Sequence, residues 1–216
     1  MTSGRIGGTL SAAAYTPLAP PRDGAAISPT PRSPPHAGLN FTVGRVSYTF
    51  GFQGPCIGLD TACSSSLVAT HLAHRGLLDG ETGAAVSAGS NLSLVASTAV
   101  NLAQLGALTA NGRSKTFDAS ADGYGRGEAV IAWVLRLPGS SGSGAGPVLA
   151  LLHGSAYNQD GRSSGLTAPN GPAQTTLVRT ALAAAGAAAG HVGLVSMHGT
   201  GESRGPSHCT ASKHSI

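Results

Sequence analysis

The stretch GLDTACSSSLVATHLA, residues 58–73, sets a single cysteine, Cys63, between a short apolar run and three consecutive serines. The run 56–59 follows a turn at Gly54 and Pro55 and reads as a buried strand. From 64 to 78, Leu67, Val68, His71, Leu72 and Leu78 fall near one face of a helix, and Gly80 is placed to end it. Cys63 is therefore expected at a strand-to-helix turn. Unpaired backbone N–H groups and the positive end of the macrodipole at such a position favour thiolate over thiol. The small neighbours Ala62, Ser64, Ser65 and Ser66 would let a substrate approach, as at the nucleophile elbow of hydrolases. Against this, cysteine outside disulfides usually packs as a small buried hydrophobe. The local context leaves both readings of Cys63 open, whereas Cys56, inside the strand, is assigned to packing.

Outward from this turn, strands and helices alternate. Residues 84–88 form a second apolar segment, a helical stretch follows at 100–108, and Asn111 and Gly112 mark a turn. EAVIAWVLRL, 128–137, is apolar almost throughout and suits a central strand covered on both faces. The Gly/Ser-rich linker 138–147 separates it from a strand expected at 148–152, the seam between two halves. In TAPNGPAQTTLVRTALAAAG, 167–186, Asn170 is a helix N-cap, Pro172 lies in the first turn and Gly186 lies near the end. VGLVSM, 192–197, reads as a strand delivering His198. The pattern implies an α/β fold with mainly parallel pairing. Cys63 and His198 would then share the cavity at the C-terminal ends of the strands.

Composition narrows the function. The 216 residues are 41% apolar, 4% aromatic and 10% charged, with 32 glycines and a net charge of +4. Between 37 and 198 there are eight Lys or Arg against seven Asp or Glu, so the excess sits on the chain ends and no basic face argues for nucleic acid. Cys56, Cys63 and Cys209 form no Cys-x-x-Cys pair. His71 and His74 lie one helical turn apart without a third ligand and read as packing and surface groups, so no metal is expected. No apolar run approaches the roughly 20 residues of a membrane span. Residues 1–36, which include SPTPRSPPHAG, show neither helical nor strand period and are expected to be disordered. A cytoplasmic location is expected. The acid-poor segment carrying Arg5, Arg22 and Arg32 offers a plastid address as the alternative.

The longer strings decide between the two readings of Cys63. DTACSSSLVA, 60–69, resembles the active-site signature of β-ketoacyl synthases, specifically the ketosynthase domains of type I polyketide synthases. Three further blocks follow in that family's order: GRSKTFDASADGYGRGEA at 112–129, GSAYNQDGRSSGLTAPNGPAQ at 154–174, and HGTG at 198–201. The resemblance covers 37–201. It implies a thiolase-like layered αβαβα fold, here incomplete, with most of the N-terminal half and the start of the C-terminal half. It also implies an acyltransferase of polyketide or fatty-acid biosynthesis that performs decarboxylative condensation of acyl and malonyl thioesters. By the matching motifs, Cys63 is the acyl acceptor and its backbone N–H an oxyanion donor. His198 matches the first of two histidines that act on the malonyl group, and Thr167 and Thr200 match threonines that contact the pantetheine arm. The family binds no cofactor directly; phosphopantetheine arrives on an acyl carrier protein, the implied partner, and the family is homodimeric. The acids of DGYGRGEA and NQDGRSSG are read as shaping loops.

The sequence also departs from the family. Members open with a strand-helix-strand segment that residues 1–36 are not expected to supply, which would leave the first half short of a strand. After HGTG the family continues with Thr, a Gly-Asp-Pro turn, and later a lysine and an Asn-Ile-Gly-His block. Here Glu202 stands at the threonine position, Gly205 and Pro206 lack the intervening Asp, and His208 and His214 lack the second-histidine context. Residues 202–216 are thus expected to be a divergent tail. An alternative to the enzyme is a non-catalytic thiolase-fold piece used for dimerisation or carrier-protein docking; a third reading keeps transacylation alone.

Overall fold

The computed structural model describes residues 6–11, 39–94, 96–140, 146–165 and 169–201. The chain divides into two compact units, Met1–Asn101 with Gly127–Ser141, and Leu102–Arg126 with Gly142–Ile216. The division falls within the predicted linker, but it also transfers Leu102–Arg126 to the second unit. That segment contains most of the GRSKTFDASADGYGRGEA string, so each unit is discontinuous in the chain.

In the first unit, β1 (Ile6–Ser11), α1 (Leu39–Phe50), β2 (Cys56–Leu59), α2 (Ser65–Leu78) and β3 (Ala84–Asn91) precede α3 (Ala96–Gln104), and β4 (Ala129–Leu135) completes the sheet. The strand order is β2-β1-β3-β4, with β1 parallel to both neighbours and β4 antiparallel to β3. The α/β reading and the mainly parallel pairing therefore hold.

Residues 6–11 correct the expectation of disorder over 1–36. Thr9 pairs with Ile57 on one side and Ser87 on the other, so this strand lies inside the sheet. IGGTLS carries little β-propensity of its own; two ready-made neighbours give its backbone groups their partners, a non-local effect that no window of the sequence displays. The predicted disorder of the remaining N-terminal residues falls outside the described residues.

The face that α2 buries also differs from expectation. Ser65, Ala69, Ala73 and Leu77, spaced by four, are buried, while Leu67 and Leu78 are largely exposed. Small side chains let the helix approach β1 and β3 closely, and Ala73, Leu77 and Ala85 form the core with Leu135 packed against it. A polar network joins the same layers: Trp133 Nε1 donates to Thr70 Oγ1 at 3.2 Å, and Thr70 shares a hydrogen bond with the fully buried Ser87 hydroxyl at 3.1 Å. Gly80, at φ +74°, ends the helix as predicted.

The predicted central strand 128–137 is instead an edge strand of the described sheet, and Val130, Ile131 and Val134 are exposed. A continuous apolar run records a capacity for two-sided burial; position in the sheet is set by the pairing partners. Strand β2 is likewise at an edge, with Cys56 exposed rather than packed.

In the second unit, α4 (Gly171–Ala184) starts where the sequence indicated. Asn170 Oδ1 accepts the Ala173 N–H at 3.1 Å, and its Nδ2 donates to Asp160 O and Arg162 O, tying the preceding loop to the helix start. The strands predicted at 148–152 and 192–197 form no ladder among the described residues. Their β-branched content supplies strand propensity, but propensity without a paired neighbour does not make a strand.

Candidate functional site

Cys63 occupies the strand-to-helix turn that the sequence predicted. β2 ends at Leu59, a 3-10 turn spans Ala62–Ser64, and α2 begins at Ser65. Cys63 is an exposed thiol outside any disulfide. The residue before it, Ala62, has φ +57°, the left-handed region that L side chains rarely adopt.

Hydrogen bonds fasten this turn on both sides of Ala62. Asp60 Oδ1 accepts the Ala62 N–H at 2.8 Å, and the Ser65 hydroxyl donates to Ala62 O at 2.7 Å. Ser65 Oγ also accepts the Thr61 N–H at 2.8 Å. Thr61 Oγ1 and Ser64 Oγ bond to each other at 2.9 Å. The small and hydroxylated residues around the cysteine are therefore structural parts of the turn. Helical periodicity reports only the apolar face of α2 and not the bonds of Asp60 and Ser65; the signal for those is the tendency of Asp and Ser side chains to bond backbone a few residues away.

His198 and Thr200 belong to the second unit. His198 is exposed and follows residues that belong to no strand, correcting the expectation of a strand end there. What holds the HGTG turn is the 115–123 loop. Thr116 Oγ1 donates to Gly199 O, and the Gly123 N–H donates to Gly201 O at 3.2 Å. Gly199 and Gly201 are left-handed, at φ +60° and +62°. A Cβ on Gly199 would lie 2.9 Å from Thr116 Oγ1, so glycine is required there by both backbone and space. Thr167, the other predicted pantetheine contact, lies outside the described residues, as do Cys209 and 202–216.

The loop beneath HGTG is itself pinned by charge. Lys115 Nζ pairs with Asp122 Oδ1 at 2.7 Å, and the buried Thr109 donates its hydroxyl to the same oxygen at 2.8 Å. Lys115 first, then Thr109, hold the Asp122 carboxyl below its ordinary 3.8. The Ser120 backbone N–H and hydroxyl do the same for Asp118. Both acids bond within their own loop; of the two, Asp122 belongs to the DGYGRGEA string read as shaping loops, and Asp118 lies outside that string. Among the described residues no group of three His, Cys, Asp or Glu could hold a metal, and no helix is long and apolar enough to cross a membrane.

Comparison with known proteins extends the motif resemblance along the chain. Residues 5–137 match the N-terminal domain of β-ketoacyl synthases, and residues 149–208 match the C-terminal domain. The chain belongs to the β-ketoacyl synthase family. The N-terminal match includes β1, and the C-terminal match reaches into the segment expected to be a divergent tail. Among related ketosynthase-bearing proteins, the spectinabilin polyketide synthase system protein NorA' of Streptomyces orinoci is 49% identical over 162 residues, 75% of this chain and 4% of that protein. Erythronolide synthase EryA2 of Saccharopolyspora erythraea is 47% identical over 162 residues, again 75% and 4%. The oxazolomycin ketosynthase domain OzmH KS7 of Streptomyces albus JA3453 superposes with a TM-score of 0.79 at 35% identity, covering 92% of this chain and 35% of that one. The fold is thus a partial thiolase-like ketosynthase, and the chain spans a small part of its curated relatives. These relatives are bacterial and lend no support to a plastid address.

Proposed function

We propose that the chain is part of a polyketide-synthase ketosynthase in which Cys63 accepts the growing acyl group from the phosphopantetheine thioester of an acyl carrier protein. The observation that carries this reading is the exposed Cys63 thiol directly after left-handed Ala62, at the entry to α2. A turn of this kind lifts a nucleophile off the end of a strand toward an incoming carbonyl. The thiolate attacks the thioester carbonyl, a new sulfur–carbon bond forms, and the pantetheine sulfur leaves with the electron pair. His198 is the residue proposed to meet the malonyl thioester that follows. Loss of carbon dioxide gives an enolate whose carbon attacks the Cys63 acyl carbonyl, and the Cys63 thiolate departs. Thr200, two residues on in the same turn, and Thr167 are proposed to hold the pantetheine arm. The acyl carrier protein is the proposed partner and the assembly a homodimer, as the family resemblance implies.

Incubation with an acyl-phosphopantetheine thioester followed by peptide mass mapping tests the first step. Acyl mass on the peptide containing Cys63, abolished by Cys63→Ser, is the expected result. Acylation at Cys56 or Cys209, or none in folded protein, would overturn the assignment.

A further inference from the structure

We propose that Ser65 and Asp60 are positioning residues that hold Ala62 in its left-handed conformation and so set the presentation of the Cys63 thiol. The inference rests on the reading of Cys63 as the nucleophile and adds the two side chains that aim it. Ala62 at φ +57° has no intrinsic reason to stay there, since alanine prefers right-handed backbone. Something outside the residue must determine the conformation. The two peptide groups flanking Ala62 are engaged by side chains on both sides. Asp60 Oδ1 takes the Ala62 N–H at 2.8 Å, and Ser65 bridges the turn, accepting from Thr61 N at 2.8 Å while donating to Ala62 O at 2.7 Å.

Ser65 is suited to this by its position in the packing. It begins the buried four-residue stripe of α2 and is itself 1% exposed, so its hydroxyl has no bulk water to compete for these bonds. The α2–sheet interface therefore fixes Ser65, Ser65 fixes the Thr61–Ala62 peptides, and those peptides fix the direction in which the chain enters Cys63. Asp60 supplies the exposed half of the same clamp.

Alkylation of the full chain by iodoacetamide near neutral pH, with Cys63 and Cys56 quantified separately by peptide mapping, reads this out. Cys56 is an exposed thiol in the same unit and serves as the internal reference, so a general loss of stability moves both thiols while a change in presentation moves only the ratio. Ser65→Ala removes both bonds of the bridge, and the Cys63:Cys56 ratio is expected to change by roughly fivefold or more. Asp60→Ala should shift the ratio in the same direction as Ser65→Ala, and Asp60→Asn, which keeps the Oδ1 acceptor without the charge, should restore it. If Ser65→Ala fails to fold, the comparison of Asp60→Ala with Asp60→Asn still decides. Ratios unchanged in Ser65→Ala and Asp60→Ala, or Asp60→Asn behaving as Asp60→Ala, would overturn the positioning role. Absence of preferential Cys63 alkylation in the unmodified chain would instead overturn the reading of Cys63 as nucleophile.

Discussion

Replacing Gly199 by alanine should disrupt the HGTG turn through two separable effects. The first is the backbone: at φ +60° an L side chain costs about 1 to 2 kcal/mol. The second is space: the new Cβ would lie 2.9 Å from Thr116 Oγ1 and 3.3 Å from its Cγ2, so Thr116 must move and surrender its bond to Gly199 O. Overpacking of this kind costs about 1 to 3 kcal/mol. Together they predict a loss of about 2 to 5 kcal/mol, or roughly 4 to 20 °C in Tm for a chain of this size. Hydrogen exchange over 115–123 should accelerate with it. The double variant Gly199→Ala, Thr116→Ala separates the effects, because removing the threonine hydroxyl and methyl relieves the collision and leaves the backbone cost. The double variant should therefore be less destabilised than the sum of the two single ones by about 1 kcal/mol or more. Additivity within about 0.5 kcal/mol would show that Thr116 does not confine Gly199 and would refute the clamp.

Thr70→Val keeps the side-chain shape but removes the acceptor of Trp133 Nε1 and leaves the buried Ser87 hydroxyl without its Thr70 partner, so stability should fall by about 1 to 3 kcal/mol. Trp133 is the only tryptophan, and its emission should shift in the folded variant; an unchanged spectrum would argue against the bond. The Asp122 and Asp118 carboxyls are both held below 3.8 in the folded chain, so their contribution is complete above that value and is lost as pH falls through the lower folded values. Protection of 109–123, corrected for intrinsic exchange, should therefore be steady above pH 3.8 and fall as the pH is lowered below it. In Asp122→Asn the drop should be smaller, and an identical drop would remove Asp122 from the explanation.

Features governed by a few neighbouring residues were legible in the sequence. Asn170 with Pro172 announced the start of α4, Gly80 the end of α2, and the run 56–59 before Cys63 a strand feeding a helix. These need only local backbone chemistry. Features that depend on distant partners were not legible. β1 looks like part of a low-complexity segment until β2 and β3 stand on either side of it, and β4 looks central until the strand order makes it an edge. The same limit explains 148–152 and 192–197, apolar runs for which no ladder exists among the described residues. The α2 face was misjudged for a related reason. Periodicity weighted by residue size selects the leucines, whereas a helix lying close against a sheet buries Ala69 and Ala73 and leaves Leu67 outside.

The nucleophile turn combines the two cases. That Cys63 would stand between a strand and a helix followed from local pattern, yet nothing in DTACSSS by itself fixes the sign of φ at Ala62. Alanine is a poor choice for a left-handed position and glycine a good one, so sequence preference points away from the observed backbone. The resolution lies in the flanking hydroxyl and carboxylate, which bond the Thr61 and Ala62 peptides, the hydroxyl from a position buried against the sheet and the carboxylate from an exposed one. A glycine at 62 would reach the same φ but would also reach many others, and the thiol would follow it. Alanine narrows the alternatives, and the clamp then selects one of them. A residue that is locally unfavourable but held from both sides presents a nucleophile more narrowly than a residue that is merely permitted to be there.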